Sequence, residues 1–167
     1  MNDPSSEKPH LRIVTYTPDY RQAFHDLNIW WIERWFEPEP IDLEVLQDPE
    51  GTLLERGGEI WFAEYDGRVV GTCGLKVHAD DVYELTKLGV DPAVHRVGAG
   101  QALCEHVIGR FLARSGRLLF LDTNAVLEPA TKLYEKLGFE ITTPPEPRHY
   151  ARSNVYMEWR GPRSAAS

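Results

Sequence analysis

The chain has 167 residues, of which 42% are hydrophobic and 26% charged, so it is long enough to form one domain with a sizeable core. Its formal net charge of −8 argues against nucleic-acid binding, which needs a basic surface. No apolar run approaches the ~18 residues that span a bilayer, and the first residues lack the apolar core of a signal peptide. We therefore expect neither a nucleic-acid partner nor a membrane partner.

The two cysteines, Cys73 and Cys104, fall in a strand pattern and a helix pattern respectively. Such unlike contexts favour reduced, buried thiols, which predicts a cytoplasmic protein. The polar ends predict a disordered lead over residues 1–9 and a flexible tail over 161–167. Between them, residues 10–160 form one expected domain with no internal repeat.

The first part of the chain predicts a strand followed by two helices. Residues 11–16 alternate as a strand, and Thr17 with Pro18 marks the start of a helix. The prolines at 38 and 40 are expected to end this helix, and residues 41–46 to form a second one. Spacing of 3–4 residues predicts that the apolar face of the first helix comprises Phe24, Leu27, Trp31 and Trp35.

The middle and end of the chain alternate strands with helices. A hairpin is predicted over 59–77, because Asp66-Gly67 is a preferred turn pair. A strand over 82–90 and a helix over about 98–114 follow it. A strand near 118–123, a helix from Pro129 to just before Gly138, and strands near 139–141 and 155–159 complete the order β-α-α-β-β-β-α-β-α-β-β. This order predicts a mixed α/β sheet.

The stretch over residues 90–103 carries the strongest functional signal. A strand ends in Val90-Asp91-Pro92, a basic turn with Gly98 and Gly100 follows, and a helix begins at once. Strand, glycine turn and helix N-terminus in this order aim backbone N–H groups at an anion, which predicts a phosphate or pyrophosphate site. The alternative is a plain glycine-rich turn between a strand and a helix.

A second motif downstream gives the turn its context. Residues 130–139 read A-T-K-L-Y-E-K-L-G-F, and residues 95–100 read H-R-V-G-A-G. Together they resemble the GNAT superfamily of acyl-CoA N-acyltransferases, whose motifs are A-x-x-L-Y-x-x-x-G-F and [Q/R]-x-x-G-x-[G/A]. The resemblance covers residues 11 to about 160. It implies the acyl-CoA N-acyltransferase fold, an α/β (α+β) structure with a mixed, mostly antiparallel central sheet flanked by helices.

The same resemblance implies acetyl-CoA as co-substrate and a set of residues that hold it. His95 stands where the family prefers Gln or Arg, and Leu127 stands where it often has Asn, so side-chain contacts to the phosphates and pantetheine would differ here. Asn124 and Lys132 are equally typical of a polar surface. The implied cofactor-binding residues are Leu88, Gly89, Val90, His95, Arg96, Val97, Gly98, Ala99, Gly100, Gln101, Asn124, Lys132 and Tyr134.

Two residues are implied as catalytic. Tyr134 matches the family position that protonates the CoA thiolate, which a phenol can do at neutral pH. Glu84 lies where some members place the base that deprotonates the amine. Tyr134 could instead be ordinary packing, and Glu84 could face solvent or pair with a lysine. Strand alternation predicts that Glu84 shares one face with Thr86, Leu88 and Val90.

The acceptor site is expected near the aromatic cluster of the first helix. In the family this region forms part of the acceptor pocket, which implies Trp30, Trp31 and Trp35, together with Glu84, as substrate-binding residues. The alternative places two of the tryptophans in the core and one on the surface or at a dimer interface. The nearby acids could attract a cationic amine, but a solvated charged face is the favoured interpretation; they are Glu33, Glu37, Glu39 and Asp42.

No metal site is expected. His78, Asp80 and Asp81 lack a partner cluster, and a loop between two strands explains them.

The expected function is transfer of an acetyl group from acetyl-CoA to a primary amine of a small molecule or peptide. Direct attack is expected because neither cysteine lies near the tip of the phosphate turn. A non-catalytic CoA-binding sensor or interaction module is the main alternative, and it needs neither Glu84 nor Tyr134. A scaffold that uses the aromatic cluster as an interface is a third possibility. Family members are often dimers, so a homodimer is one expected state.

Overall fold

The computed structural model describes residues 10–94, 96–146 and 151–162. His95, the expected lead over 1–9 and residues 163–167 of the expected tail lie outside this part of the chain. The predicted order of elements is confirmed, with two additions, a 3₁₀ turn at Pro18–Tyr20 and a π-helical segment at Glu50–Leu54. The elements are β1 (Leu11–Thr15), α1 (Arg21–Trp35), α2 (Pro40–Gln47), β2 (Glu59–Tyr65), β3 (Arg68–Ala79), β4 (Val82–Val90), α3 (Ala99–Ala113), β5 (Leu118–Thr123), α4 (Glu128–Leu137), β6 (Phe139–Ile141) and β7 (Val155–Trp159).

The described strands form one seven-stranded sheet in the order β1-β2-β3-β4-β5-β7-β6. Every neighbouring pair is antiparallel except β4 and β5, which are parallel. The helix α3 supplies the long connection that a parallel pair requires. The expected mixed, mostly antiparallel sheet is confirmed.

Two apolar clusters cover the two faces of the sheet. On one face, α3 and Tyr134 of α4 pack against the central strands, with Leu103, Val107 and Phe111 buried. On the other face, α1 and α2 pack against β2 through Phe24, whose side chain is fully buried. No helix within the described ranges is long and apolar enough to cross a membrane.

Local signals explain most element boundaries. Asp66 and Gly67 have φ of 51° and 74°, as a two-residue hairpin turn requires, and they join β2 to β3. The Thr17 hydroxyl accepts a hydrogen bond from the Asp19 amide at the predicted helix start. Pro40 differs from expectation: it does not end α1 but begins α2, where a proline fits the first turn.

Candidate functional site

The strand β4 carries a bulge in its pairing with β3 and pairs with β5 only over its first three residues. Thr72 pairs with Gly89 and Gly74 pairs with Thr86, so β4 has one residue more than β3 between these pairs. Lys87 in the bulge has φ of 56°, in the left-handed region. Only Val82 to Glu84 of β4 pair with β5, and the described residues of β4 after Glu84 have no partner in β5.

The bulge changes which residues share a face of the sheet. The expectation that Glu84, Thr86, Leu88 and Val90 lie on one face is wrong, because the extra residue reverses the alternation after Thr86. Leu88 and Val90 pack instead against the α3 side, with Tyr83 and Leu85. Glu84 and Thr86 therefore lie on the α1 side.

A cavity of about 120 Å³ occupies the opening between β4 and β5. Residues from both faces of the sheet line it: Asn28 and Trp31 of α1 on one side, Tyr134 of α4 on the other. Glu84 and residues 85–88 of the bulged strand form part of its wall. The cavity therefore passes through the sheet, which makes it the candidate active site.

Tyr134 is 6% exposed and lines this cavity. Its ring contacts Phe139 edge-on, with ring centroids 5.9 Å apart. Burial raises the pKa of Tyr134 well above its usual value, and the nearby Cys104 and Cys73 add to the rise. The phenol is therefore protonated at neutral pH.

Glu84 is 4% exposed and lines the same cavity from β4. Its Oε1 lies 2.7 Å from Nε2 of His78 on β3. The expectation of a loop at His78 is wrong, because β3 extends through Ala79 and only Asp80 and Asp81 form the turn. A buried carboxylate with one imidazole partner can accept a proton and pass it on.

The start of α3 has the geometry of an anion site. Gly98 has φ of 77° and forms the N-cap, and none of the described side chains caps the helix. The first amide bonded within the helix is that of Ala102, which donates to the Gly98 carbonyl. The amides of residues 99–101 precede it and point out of the helix start. A Cβ placed at Gly98 would meet nothing within 4 Å, so there is open space beside the turn.

Other residues of the turn have distinct surroundings. Arg96 has φ of 60°, and Val97 packs at the border of the core. Ala99 is 3% exposed. A Cβ at Gly100 would lie 3.5 Å from Leu133 and 3.7 Å from Val90, so this glycine faces the packing between α3, α4 and β4. The side-chain amide of Gln101 bonds Glu105 and Lys136, so a contact of Gln101 with a ligand is expected through its backbone N–H.

The end of β4 is tied closely to α1. A Cβ at Gly89 would lie 2.6 Å from the Leu27 carbonyl oxygen, so only glycine allows this approach. The Trp31 indole donates a hydrogen bond of 2.8 Å to the Val90 carbonyl. The Val90 carbonyl therefore already accepts a hydrogen bond from within the protein.

Of the three tryptophans predicted to bind the acceptor, only Trp31 lines the cavity. Trp30 and Trp35 are 41% and 47% exposed, and the Arg34 guanidinium lies over both rings. The predicted apolar face of α1 is confirmed at Phe24 and wrong at Trp35, which is exposed; Leu27 and Trp31 are half-buried. The buried residues are Phe24, Asn28 and Ile32 at i, i+4 and i+8.

Asn124 and Lys132 differ in position. Asn124 lines the cavity, but its amide donates to the Arg152 carbonyl and its oxygen accepts from the Val126 amide. Lys132 is exposed and pairs with Glu128 one helical turn away. The structure does not bring Lys132 to the cavity.

A buried charged network borders the cavity, and the sequence did not reveal it. Asp42 is fully buried and accepts two hydrogen bonds from Arg152, of 2.5 and 2.7 Å. Lys87 of the bulge donates to it at 3.2 Å. Burial by itself raises the pKa of Asp42, but Arg152 and Lys87 outweigh it, so the pKa lies below its usual value. Asp42 is thus not part of a solvated face, and Glu39 also pairs with Arg152.

A second cavity, of about 390 Å³, lies next to the first. Its wall includes His78, Phe120 and Tyr156, none of which the sequence marked as functional. Phe120 packs between the other two rings, with centroids 4.9 Å from His78 and 5.6 Å from Tyr156. Asp122 lines both cavities.

Neither metal nor thiol chemistry is indicated in the described residues. They contain no group of three or more His, Cys, Asp or Glu side chains placed to hold a metal ion. Cys73 and Cys104 are free and buried. Burial raises the pKa of the Cys73 thiol well above its usual value, so this thiol is a poor nucleophile.

The sequence also matches a family model, that of the Acetyltransferase (GNAT) family, over residues 20–139. The chain belongs to the GNAT family. Solved GNAT structures share its fold. An acetyltransferase of Staphylococcus aureus Mu50 has a TM-score of 0.80 at 20% identity, over 89% of this chain and 98% of that chain.

A GNAT acetyltransferase of Elizabethkingia anophelis with acetyl-CoA bound has a TM-score of 0.61 at 20% identity, over 90% of this chain and 97% of that chain. These identities support the GNAT fold alone, which confirms the predicted fold class.

Curated GNAT relatives are more similar in sequence but longer. The probable N-acetyltransferase camello of Xenopus tropicalis is 30% identical over 119 residues, which are 70% of this chain and 50% of the relative. The mycothiol acetyltransferase of Thermomonospora curvata is 35% identical over 94 residues, which are 52% of this chain and 32% of the relative. The chain therefore spans half or less of the length of these two relatives.

Proposed function

We propose that the protein transfers the acetyl group of acetyl-CoA to a primary amine of a small molecule or peptide, by direct attack. One observation carries this proposal: Glu84 and Tyr134 line the same narrow cavity from opposite faces of the sheet. A base and an acid are thus placed on two sides of one space. An acyl transfer between two bound substrates can use this arrangement.

The donor is proposed to lie along the end of β4 with its pyrophosphate at the start of α3. The uncapped amides of residues 99–101 and the open space beside Gly98 support this. Arg96 would add positive charge to this turn, and the His95 imidazole would offer one hydrogen bond. The Leu88 backbone supports contact with the pantetheine arm, because the register with β3 skips this residue and none with β5 reaches it.

Glu84 is proposed to take the proton of the ammonium, directly or through water, so that the free amine can attack the thioester carbonyl. The new C–N bond forms as the carbonyl π electrons move to oxygen. The nitrogen now carries one proton more than an amide can hold and loses it through water. When the oxyanion collapses, the C–S bond breaks and the electron pair leaves on sulfur. Tyr134, whose phenol is protonated at neutral pH, then gives its proton to the thiolate and regains one through water, so that the products are the acetylated amine and the CoA thiol.

The small volume between β4 and β5 supports a short acyl group. The cavity of about 120 Å³ is well below the ~300 Å³ that usually holds a drug-sized ligand. An acetyl group and the end of the pantetheine arm are compatible with this space. We infer acetyl-CoA rather than a long-chain acyl-CoA as the donor.

Location and assembly are part of the proposal. The two free, buried cysteines support a cytoplasmic location, since reduced thiols are typical there. A homodimer is proposed on the family resemblance. The molar mass of the protein in solution tests the homodimer, and a strictly monomeric protein would contradict it.

The deciding experiment measures acetyl-CoA binding by calorimetry and release of CoA thiol in the presence of a panel of amines. The proposal expects binding of acetyl-CoA and amine-dependent thiol release, with the acetylated amine detected by mass spectrometry. Binding without transfer to any amine would favour the non-catalytic sensor. Absence of binding would overturn both functions.

A further inference from the structure

The second cavity has a position that suits the attacking amine. His78 lines this cavity and is hydrogen-bonded to Glu84, which lines the first one. Asp122 lines both. An amine that projects from the second cavity toward the first therefore passes the proposed base. The first cavity alone, at about 120 Å³, has little room for an acceptor beside the thioester.

The wall of the second cavity is mostly apolar and aromatic. Phe120 and Tyr156 have ring centroids 5.6 Å apart at an interplanar angle of 32°, and His78 continues the aromatic surface beyond Phe120. Pro144 and Pro145 add further apolar lining. Binding of an apolar or aromatic group to this surface is favourable, because it removes apolar area from water.

The two acidic side chains among the described lining residues of this cavity give it negative charge. Asp122 and Glu146 line it, and Glu84 is reached through His78. Among the described lining residues there is no lysine or arginine. An ammonium group is stabilised by carboxylates and by aromatic faces, whereas an acceptor with its own carboxylate would meet like charge.

From this geometry we propose that the acceptor is a small amine carried on an apolar or aromatic group, with the apolar group held by Phe120 and Tyr156 and the amine directed to Glu84. The proposal rests on the proposed acetyltransferase function and names its acceptor class. A volume of about 390 Å³ lies near the lower end of the ~300–1,000 Å³ typical of small-molecule sites, so it favours a small amine over a protein chain.

The test compares wild-type kcat/KM, by CoA thiol release, for 2-phenylethylamine, ethylamine, spermidine, L-aspartate and a lysine-containing tetrapeptide. The proposal expects 2-phenylethylamine to be preferred over each of the others by about tenfold or more, a factor that corresponds to one buried aromatic contact. This order of preference is measured on the wild-type protein alone, so it does not depend on a variant that folds. Preference for aspartate, spermidine or the peptide would overturn the proposal while leaving the acetyltransferase function intact.

Two variants then locate the site. Phe120→Ala should raise KM for 2-phenylethylamine by about tenfold with the KM for acetyl-CoA unchanged, because it removes the centre of the aromatic wall. Ile141→Ala is the matched control, since Ile141 is a 60% exposed apolar residue that does not line this cavity. An equal effect of the two variants would contradict the proposal.

Glu146→Lys serves if Phe120→Ala does not fold, because Glu146 is exposed. Its reversed charge should raise KM for the amine, and less so at high salt. If acetyl-CoA binds but no amine is acetylated, calorimetry with 2-phenylethylamine in the presence of CoA decides. Absence of amine binding there would overturn the acceptor proposal, whereas absence of acetyl-CoA binding would overturn the proposed function itself.

Discussion

The Trp31 indole donates a hydrogen bond of 2.8 Å to the Val90 carbonyl, which joins α1 to the last residue of β4. We expect Trp31→Phe to lower the free energy of unfolding by about 1 kcal/mol, because a part-buried carbonyl loses its donor. It should also raise KM for acetyl-CoA, since Val90 leads into the turn before α3. Denaturant unfolding and initial rates check this. Trp35→Phe, at a 47% exposed position, is the control and should change neither.

Tyr134→Phe should lower kcat by roughly 100-fold or more with little change in acetyl-CoA affinity, because it removes the proposed proton donor and keeps the ring. Burial raises the pKa of Tyr134, so the phenol loses its proton only as pH rises well above 10. The ratio of wild-type to variant rates should therefore be constant from about pH 7 to pH 10.

Tyr83→Phe is the matched control for this variant, as Tyr83 is a buried tyrosine of the same core that does not line the cavity. Equal turnover of Tyr134→Phe and the wild type would remove Tyr134 from the mechanism.

Glu84→Gln should lower kcat/KM for the amine by roughly 100-fold or more, because glutamine cannot accept the proton of the ammonium. His78→Gln should have a smaller effect, since Glu84 itself remains. Both are measured as initial rates at saturating acetyl-CoA. Glu135→Gln, on the exposed side of α4, controls for loss of negative charge. A larger effect at His78 than at Glu84 would assign the base to the imidazole.

Asp42→Asn should lower the free energy of unfolding by about 3 kcal/mol near neutral pH, because Lys87 and Arg152 lose the buried carboxylate that accepts from both, while Arg152 keeps its ion pair with Glu39. Folding lowers the pKa of Asp42, so its stabilisation is present above the ordinary value of about 4 and is lost as pH falls through the lower native value. The difference between wild type and variant should narrow in acid.

Denaturant unfolding between about pH 7 and pH 3 measures this difference. Glu44→Gln on the exposed side of α2 is the control and should be neutral throughout. A difference that stays constant down to pH 3 would show that the charge of Asp42 is not what stabilises the network.

Gly100→Val should weaken acetyl-CoA binding by about tenfold by calorimetry, because the added methyl groups push α3 away from Leu133 and Val90. Gly100→Ala should be tolerated, as its Cβ would make contacts of 3.5 and 3.7 Å, which are ordinary. Gly109→Val on the same helix is the control, because a Cβ there meets nothing within 4 Å. Unchanged affinity in Gly100→Val would contradict a donor site at this helix start.

Elements that depend on neighbouring residues were predictable from the sequence. Asp66-Gly67 turns the hairpin, Thr17 caps the 3₁₀ turn that leads into α1, and Gly138 follows α4 with φ of 108°. Each of these signals acts over a few residues of chain, so it survives without knowledge of the fold. The motifs at 95–100 and 130–139 likewise led to the family.

Features that depend on residues distant in sequence were not predictable. Arg152 and Asp42 are 110 positions apart, and only the packed fold brings them together. The left-handed conformation of Lys87 has no local signal, since lysine rarely adopts it. The tryptophans misled because α1 is buried through Phe24, Asn28 and Ile32, a stripe that includes a polar residue.

Because β4 carries one extra residue, it should tolerate substitutions better than insertions or deletions. Substitutions along residues 85–88 alter one side chain at a time. A one-residue deletion there would restore simple alternation, so Leu88 and Val90 would exchange the core for the opposite face. It would also carry Gly89 away from the Leu27 carbonyl and favour pairing of β4 with β5 where the cavity now lies. Length is therefore the property of this strand that natural variants and designed libraries should preserve.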